Sequence, residues 1–79
     1  MSNREKYDNV FVEAFEVTAE KAKSLEYQQI QEWDSVGHMT LMAMLEDAFD
    51  IMLDTEDIID FSSYSKGIEI LKKYKVEIE

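Results

Sequence analysis

Apolar residues along this chain recur at steps of three and four, and two-residue alternation is scarce. That periodicity predicts helices rather than strands. Proline is absent and glycine occurs twice, so little interrupts the pattern and nothing marks a linker between domains. At 79 residues the chain is read as one domain, residues 1–79. A chain of this size buries only about 60 % of its unfolded surface, so one core is the ceiling. It has no cysteine, so no disulfide or thiolate cluster can staple it. Packing must carry the fold, and 46 % hydrophobic residues make that feasible.

Four helical segments are expected. In the first, Tyr7, Val10, Phe11, Ala14 and Phe15 share a face. A long polar connection without regular structure follows over residues 18–33, anchored by Leu25, Tyr27, Ile30 and Trp33. The second helix is expected to start at Ser35, capped by Asp34, and to run to Phe49 or Asp50. A short third segment, DTEDIIDF, has Asp54 or Thr55 as its cap and Ile58, Ile59 and Phe61 as apolar contacts. The fourth helix follows Ser62 and Ser63, turns Ile68, Leu71 and Tyr74 inward, and ends near Lys72, Lys73 and Lys75, which suit its negative end. The last four residues are expected to fray. The fold class that results is all-α, a small four-helix bundle with one short helix and a long loop between the first two.

The second helix has two apolar faces. At 100° per residue, His38, Leu41, Met42, Leu45, Ala48, Phe49 and Met52 form a core stripe. Val36, Met39 and Ala43 gather opposite it, beside Asp47 and Asp50, with Glu46 at the edge. One core cannot use both faces, so the second strip reads as a docking surface, adaptable through methionine and steered by acids. It begins beside Ser35. A helix N-terminus stabilises a phosphate attached there, and Gly37 is expected to leave the approach open.

The formal charge of −10, from 18 acids against 8 bases, repels nucleic acid and anionic membrane surfaces and attracts basic proteins. No window approaches the ~20 apolar residues of a membrane span, and the start MSNREKYDN has no apolar signal core, which fits the cytoplasm. His38 is the sole histidine and is expected to serve the core. The acids between Asp47 and Asp60 lack a calcium-loop pattern, so no metal site is expected. Ser35 has no base placed to activate it, which argues against a serine hydrolase.

The stretch DSVGHMTLMAMLEDAFDI resembles the phosphopantetheine attachment region of acyl carrier proteins, whose hallmark is Asp-Ser-Leu before an amphipathic helix. The likeness continues through DTEDIIDFSSYSKGIEIL and covers essentially the whole domain. It implies that Ser35 receives 4′-phosphopantetheine from coenzyme A through a separate phosphopantetheinyl transferase, with Asp34 in support. The arm's thiol then carries an acyl group as a thioester for fatty-acid, polyketide or modified-lipid biosynthesis. The chain itself is then no enzyme, and is expected to be monomeric. Val36, Met39 and Ala43, with Glu46, Asp47, Asp50, Glu56, Asp57 and Asp60, would meet basic patches on acyl-ACP synthetase, ketosynthase or acyltransferase partners. Val36 replaces the family's usual leucine, and Gly37 and Thr40 stand where housekeeping carriers commonly have acids. The Trp-Asp-Ser and Gly-His-Met flanks resemble specialised stand-alone carriers. Two other readings fit the same residues: an aminoacyl or peptidyl carrier, and an unmodified acidic interaction protein.

Overall fold

The computed structural model describes residues 2–78. It is all-α, with five helices and no strand among the described residues. The first, α1 (Asn3–Phe15), opens on a capping box, Ser2 Oγ accepting from the N–H of Glu5 while Glu5 reaches back to Ser2. It closes on Glu16 in the left-handed conformation. Its inward face is Tyr7, Val10, Phe11 and Phe15.

The long connection is not wholly irregular. One helical turn, α2 (Ala19–Ala22), is capped by Thr18 and buries Ala22 against α1. Four residues carry too little periodicity to stand out from a polar segment. Leu25 and Trp33 are buried as expected, and Tyr27 and Ile30 half-buried. The connection is also stitched to the α4–α5 junction by a strand-like bridge between Glu26 and Ser63. There Tyr27 N–H donates to Ser62 C=O at 2.8 Å, and Tyr64 N–H to Leu25 C=O at 3.0 Å.

α3 (Ser35–Phe49) begins and ends where expected, with Asp34 Oδ1 accepting from Gly37 N–H at 2.8 Å. His38, Leu41, Met42 and Leu45 are buried, and Ala48 and Phe49 half-buried. Met52 does not join this stripe. Asp50 ends the helix in the left-handed conformation, and Met52, beyond it, is 84 % exposed. The turn is closed by Glu46, whose carboxylate accepts from Leu53 N–H at 2.8 Å.

In α4 (Thr55–Asp60) Ile58 is half-buried, and Phe61, which caps its C-terminus, is buried. Ile59, expected as a core contact, is 74 % exposed. A one-residue step rotates 100°, so Ile58 and Ile59 cannot share the inward face.

α5 (Tyr64–Lys72), capped by Ser63, buries Tyr64, Gly67, Ile70 and Leu71, whereas Ile68 and Tyr74 are half-buried. Gly67 is required: a Cβ there would stand 2.1 Å from Phe61 Cζ and 2.2 Å from Tyr7 Oη. Lys72 lies in the last turn as expected, but the Lys73 ammonium leaves the helix end for Asp57, 2.5 Å away. The tail is tied down, contrary to expectation: Val76 is buried, its N–H donates to Leu71 C=O, and Asn3 donates to Glu77 C=O. Glu79 lies outside the described residues.

The centre of the core is aromatic. Phe11 meets Tyr7, Phe15, Trp33, Phe61 and Tyr64, and Phe15 stacks on Trp33 at 5.1 Å. Such pairs each contribute about 0.5–1.5 kcal/mol beyond the area they bury. This cluster joins α1 to Trp33, two residues before α3, and so places the α3 N-terminus. Among the described residues no helix is long and apolar enough to cross a membrane.

Candidate functional site

Ser35 occupies the first position of α3 and is exposed. Asp34 caps the helix through its side chain, and its carbonyl accepts from His38 N–H at 2.7 Å. Helix geometry gives the N–H groups of Ser35 and Val36 no acceptor of their own, so partial positive charge gathers beside the Ser35 hydroxyl. Here sequence expectation and structure coincide.

Gly37 has a different role from the one expected. A Cβ on it would lie 1.9 Å from the Glu32 carbonyl oxygen and 3.4 Å from Asp34 Oδ1. Its missing side chain admits the incoming backbone, which lets residues 32–34 fold tightly onto the first turn. The residue shapes the site from behind rather than clearing its front.

A cavity of about 390 Å³ opens beside Ser35. It is lined by buried Phe61 and His38, half-buried Ile58 and Tyr27, and exposed Met39, Ile59 and Ser62. His38 is fixed by two hydrogen bonds. Trp33 Nε1–H donates to Nδ1 at 2.9 Å, and because indole only donates, Nδ1 must accept. The proton is therefore on Nε2, which donates to Ile58 C=O at 2.7 Å. This relay ties the loop end to the first turn of α3 and the last turn of α4, and the latter two wall the cavity.

The exposed strip is present: Val36 is 75 % exposed, Met39 55 %, and Ala43 is open as well. Ile59 adds an apolar side chain from α4 across the cavity mouth. Asp47, Asp50, Glu56 and Asp60 are exposed. Two of the expected docking acids have other work. Asp57 is buried, ion-paired with Lys73 and accepting a hydrogen bond from the Tyr74 hydroxyl. The Lys73 hydrogen bond first, then that of Tyr74, holds its carboxyl below the usual carboxylate range. It fastens α4 to α5 and is not available to a partner. Glu46 is half-buried and engaged with Leu53 N–H, so it is at most the margin of the strip.

Six members of the site were not anticipated there: Tyr27, whose hydroxyl lies 3.4 Å from Ser35 Oγ, His38, Ile58 and Phe61, expected to serve only the core, and Ile59 and Ser62. The angular step from Ile58 could have revealed Ile59. Tyr27 and Ser62 meet the site through the Glu26–Ser63 bridge, which leaves no local pattern. Comparison of the chain with protein-family models, curated proteins and solved structures returns no match.

Proposed function

We propose that this chain is an acyl carrier protein, modified on Ser35 with 4′-phosphopantetheine, and that its helices form the small four-helix bundle of such carriers, with α2 a turn inside the long loop. The observation that carries the reading is the pairing of an exposed serine hydroxyl at the N-terminus of α3 with an apolar cavity opening beside it. A serine serving only as a first-turn residue needs no such cavity.

The residues fit the group. Ser35 supplies the oxygen; a new Oγ–P bond forms as a pyrophosphate P–O bond of coenzyme A breaks, the serine proton is lost, and adenosine 3′,5′-bisphosphate leaves. Asp34 holds the first turn through its cap, which keeps the Ser35 and Val36 N–H groups aimed at the phosphate position. The bound group supplies a thiol on which an acyl cargo can be held. Met39, Ile58, Ile59 and Phe61 offer that cargo apolar contact out of water. The chain activates nothing itself; His38 has both ring nitrogens committed to Trp33 and Ile58.

The partners are a phosphopantetheinyl transferase and then acyl-transfer enzymes such as a ketosynthase, acyltransferase or acyl-ACP synthetase. They dock on Val36, Met39, Ala43 and Ile59, with Asp47, Asp50, Glu56 and Asp60 drawing in their basic patches. On this reading the carrier works as a monomer in the cytoplasm. The test is intact mass after incubation with coenzyme A, Mg²⁺ and a promiscuous transferase, with Ser35→Ala alongside. The wild type should gain one phosphopantetheinyl group and S35A none. If neither gains mass with a transferase active on another carrier, the acidic interaction protein becomes the better account.

A further inference from the structure

Tyr27 precedes Ser35 by eight residues, and its hydroxyl lies 3.4 Å from Ser35 Oγ. Its placement is heavily restrained. The backbone N–H is bonded to Ser62 C=O, and the ring packs edge-on against Trp33 and His38 at centroid separations of 6.3 and 5.2 Å. Trp33 is fully buried and His38 is bonded through both ring nitrogens, so the phenol leans on a fixed wall.

Packing alone explains the ring but not the hydroxyl, since phenylalanine would fill the same space. With Ser35 as a free alcohol, 3.4 Å is well beyond the separation of about 2.7–2.8 Å usual for an O–H···O bond. An anionic group on Oγ changes this, because an outer oxygen standing beside the line between the two hydroxyls comes within hydrogen-bond reach of the phenol. The cavity wall also lacks lysine and arginine. An anion there must be met by neutral donors, and Tyr27 is the one phenol on that wall.

We infer that Tyr27 donates a hydrogen bond to the phosphodiester formed on Ser35 and holds it at the mouth of the cavity. This rests on the carrier reading above. Tyr27 is then a binding residue for the cofactor. It supplies a directed donor without adding positive charge to a surface that basic partners must approach.

The experiment compares apo and loaded forms of the wild type and Tyr27→Phe. In the loaded proteins, the phosphorus NMR resonance of folded Y27F should differ from that of the wild type, and the two should coincide in guanidinium chloride. Loading should also raise the folding equilibrium constant of the wild type about tenfold more than that of Y27F, the size of one hydrogen bond to an ionised acceptor. A hydroxyl with a purely structural part contributes to apo and loaded forms alike and cancels. Should Y27F fail to fold, isotope-labelled tyrosine in the wild type decides: the Tyr27 ring carbon bearing oxygen shifts on loading and that of Tyr7 does not. Coincident phosphorus resonances with equal stability increments, or an unmoved Tyr27 resonance, would overturn the inference while leaving the carrier reading intact. A wild type that takes up no arm overturns the carrier reading, and the inference with it.

Discussion

Trp33 donates its indole N–H to Nδ1 of His38 at 2.9 Å, so the last loop residue to enter the core is fastened to the first turn of the helix it leads into. Between them lie Asp34, Ser35, Val36 and Gly37. The position of the serine is therefore set by a buried contact on either side of it.

Replacing Trp33 by Phe removes the donor and leaves Nδ1 of His38 buried without its partner. The indole is fully buried, so a small void joins the lost bond. We expect a loss of about 2–3 kcal/mol in urea denaturation, together with slower transferase loading. Loading at the wild-type rate would show that the Trp33–His38 bond does not position Ser35.

Gly37→Ala presses a methyl group into the Glu32 carbonyl, 1.9 Å from where the Cβ must sit. The backbone of the loop has to move. An overpacking cost of about 1–3 kcal/mol follows, with mass gain at Ser35 slowed in parallel. An unchanged denaturation midpoint would mean that the loop yields freely.

Met39→Glu places a charge at the centre of the exposed strip without disturbing the core. The denaturation midpoint should hold while, on the carrier reading, turnover of the loaded chain by acyl-transfer enzymes falls about tenfold or more. Normal turnover of the charged variant would remove the strip from the docking surface.

Asp57 sets the acid limit. Its folded pKa lies below the unfolded value of about 3.9, so its contribution is complete above that value and is lost as pH falls through the lower folded one. Stability profiles of Asp57→Asn should be lower at neutral pH and flatter below about pH 4. Parallel acid limbs in variant and wild type would count against this carboxylate.

Tyr64 and Tyr7 set the alkaline limit. Burial first, and then the neighbouring Asp8, push Tyr64 up to about 12, and burial carries Tyr7 higher still. Both folded values exceed the ordinary phenol value of about 10, so their contribution is present below that pH and is lost as pH rises through the folded values. Phenolate absorbance from these two rings should therefore appear together with unfolding as pH passes about 12. Full phenolate absorbance from all four tyrosines near pH 10 in a folded protein would contradict the packing around them.

What the sequence made legible was local. The start of α3 could be read because cap and apolar stripe are adjacent, and the helical period marked the exposed strip of Val36, Met39 and Ala43; Ser35 stood out only through its resemblance to a carrier's attachment site. The rest depends on chain segments that meet only after folding. Asp57 sits in a run of acids that reads as solvated, and it is buried because Lys73 and Tyr74 reach it from beyond the end of α5. Gly37 answers a backbone oxygen five residues earlier, and a glycine does not announce which neighbour needs the room. Met52 and Val76 follow from turns through the left-handed Asp50 and Lys75, neither of which is a glycine that would have marked the bend.

The bridge between Glu26 and Ser63 closes the chain into a ring. Inside the ring lie Tyr27, Ser35, Met39, Ile59 and Ser62, together with the exposed strip and its acids; outside it lie α1, α2 and α5. On the carrier reading, substitutions at the exposed strip within the circuit retune what is carried and who receives it, whereas those at Trp33, Gly37 and Asp57, like those in α1 and α5, adjust how firmly the circuit is held.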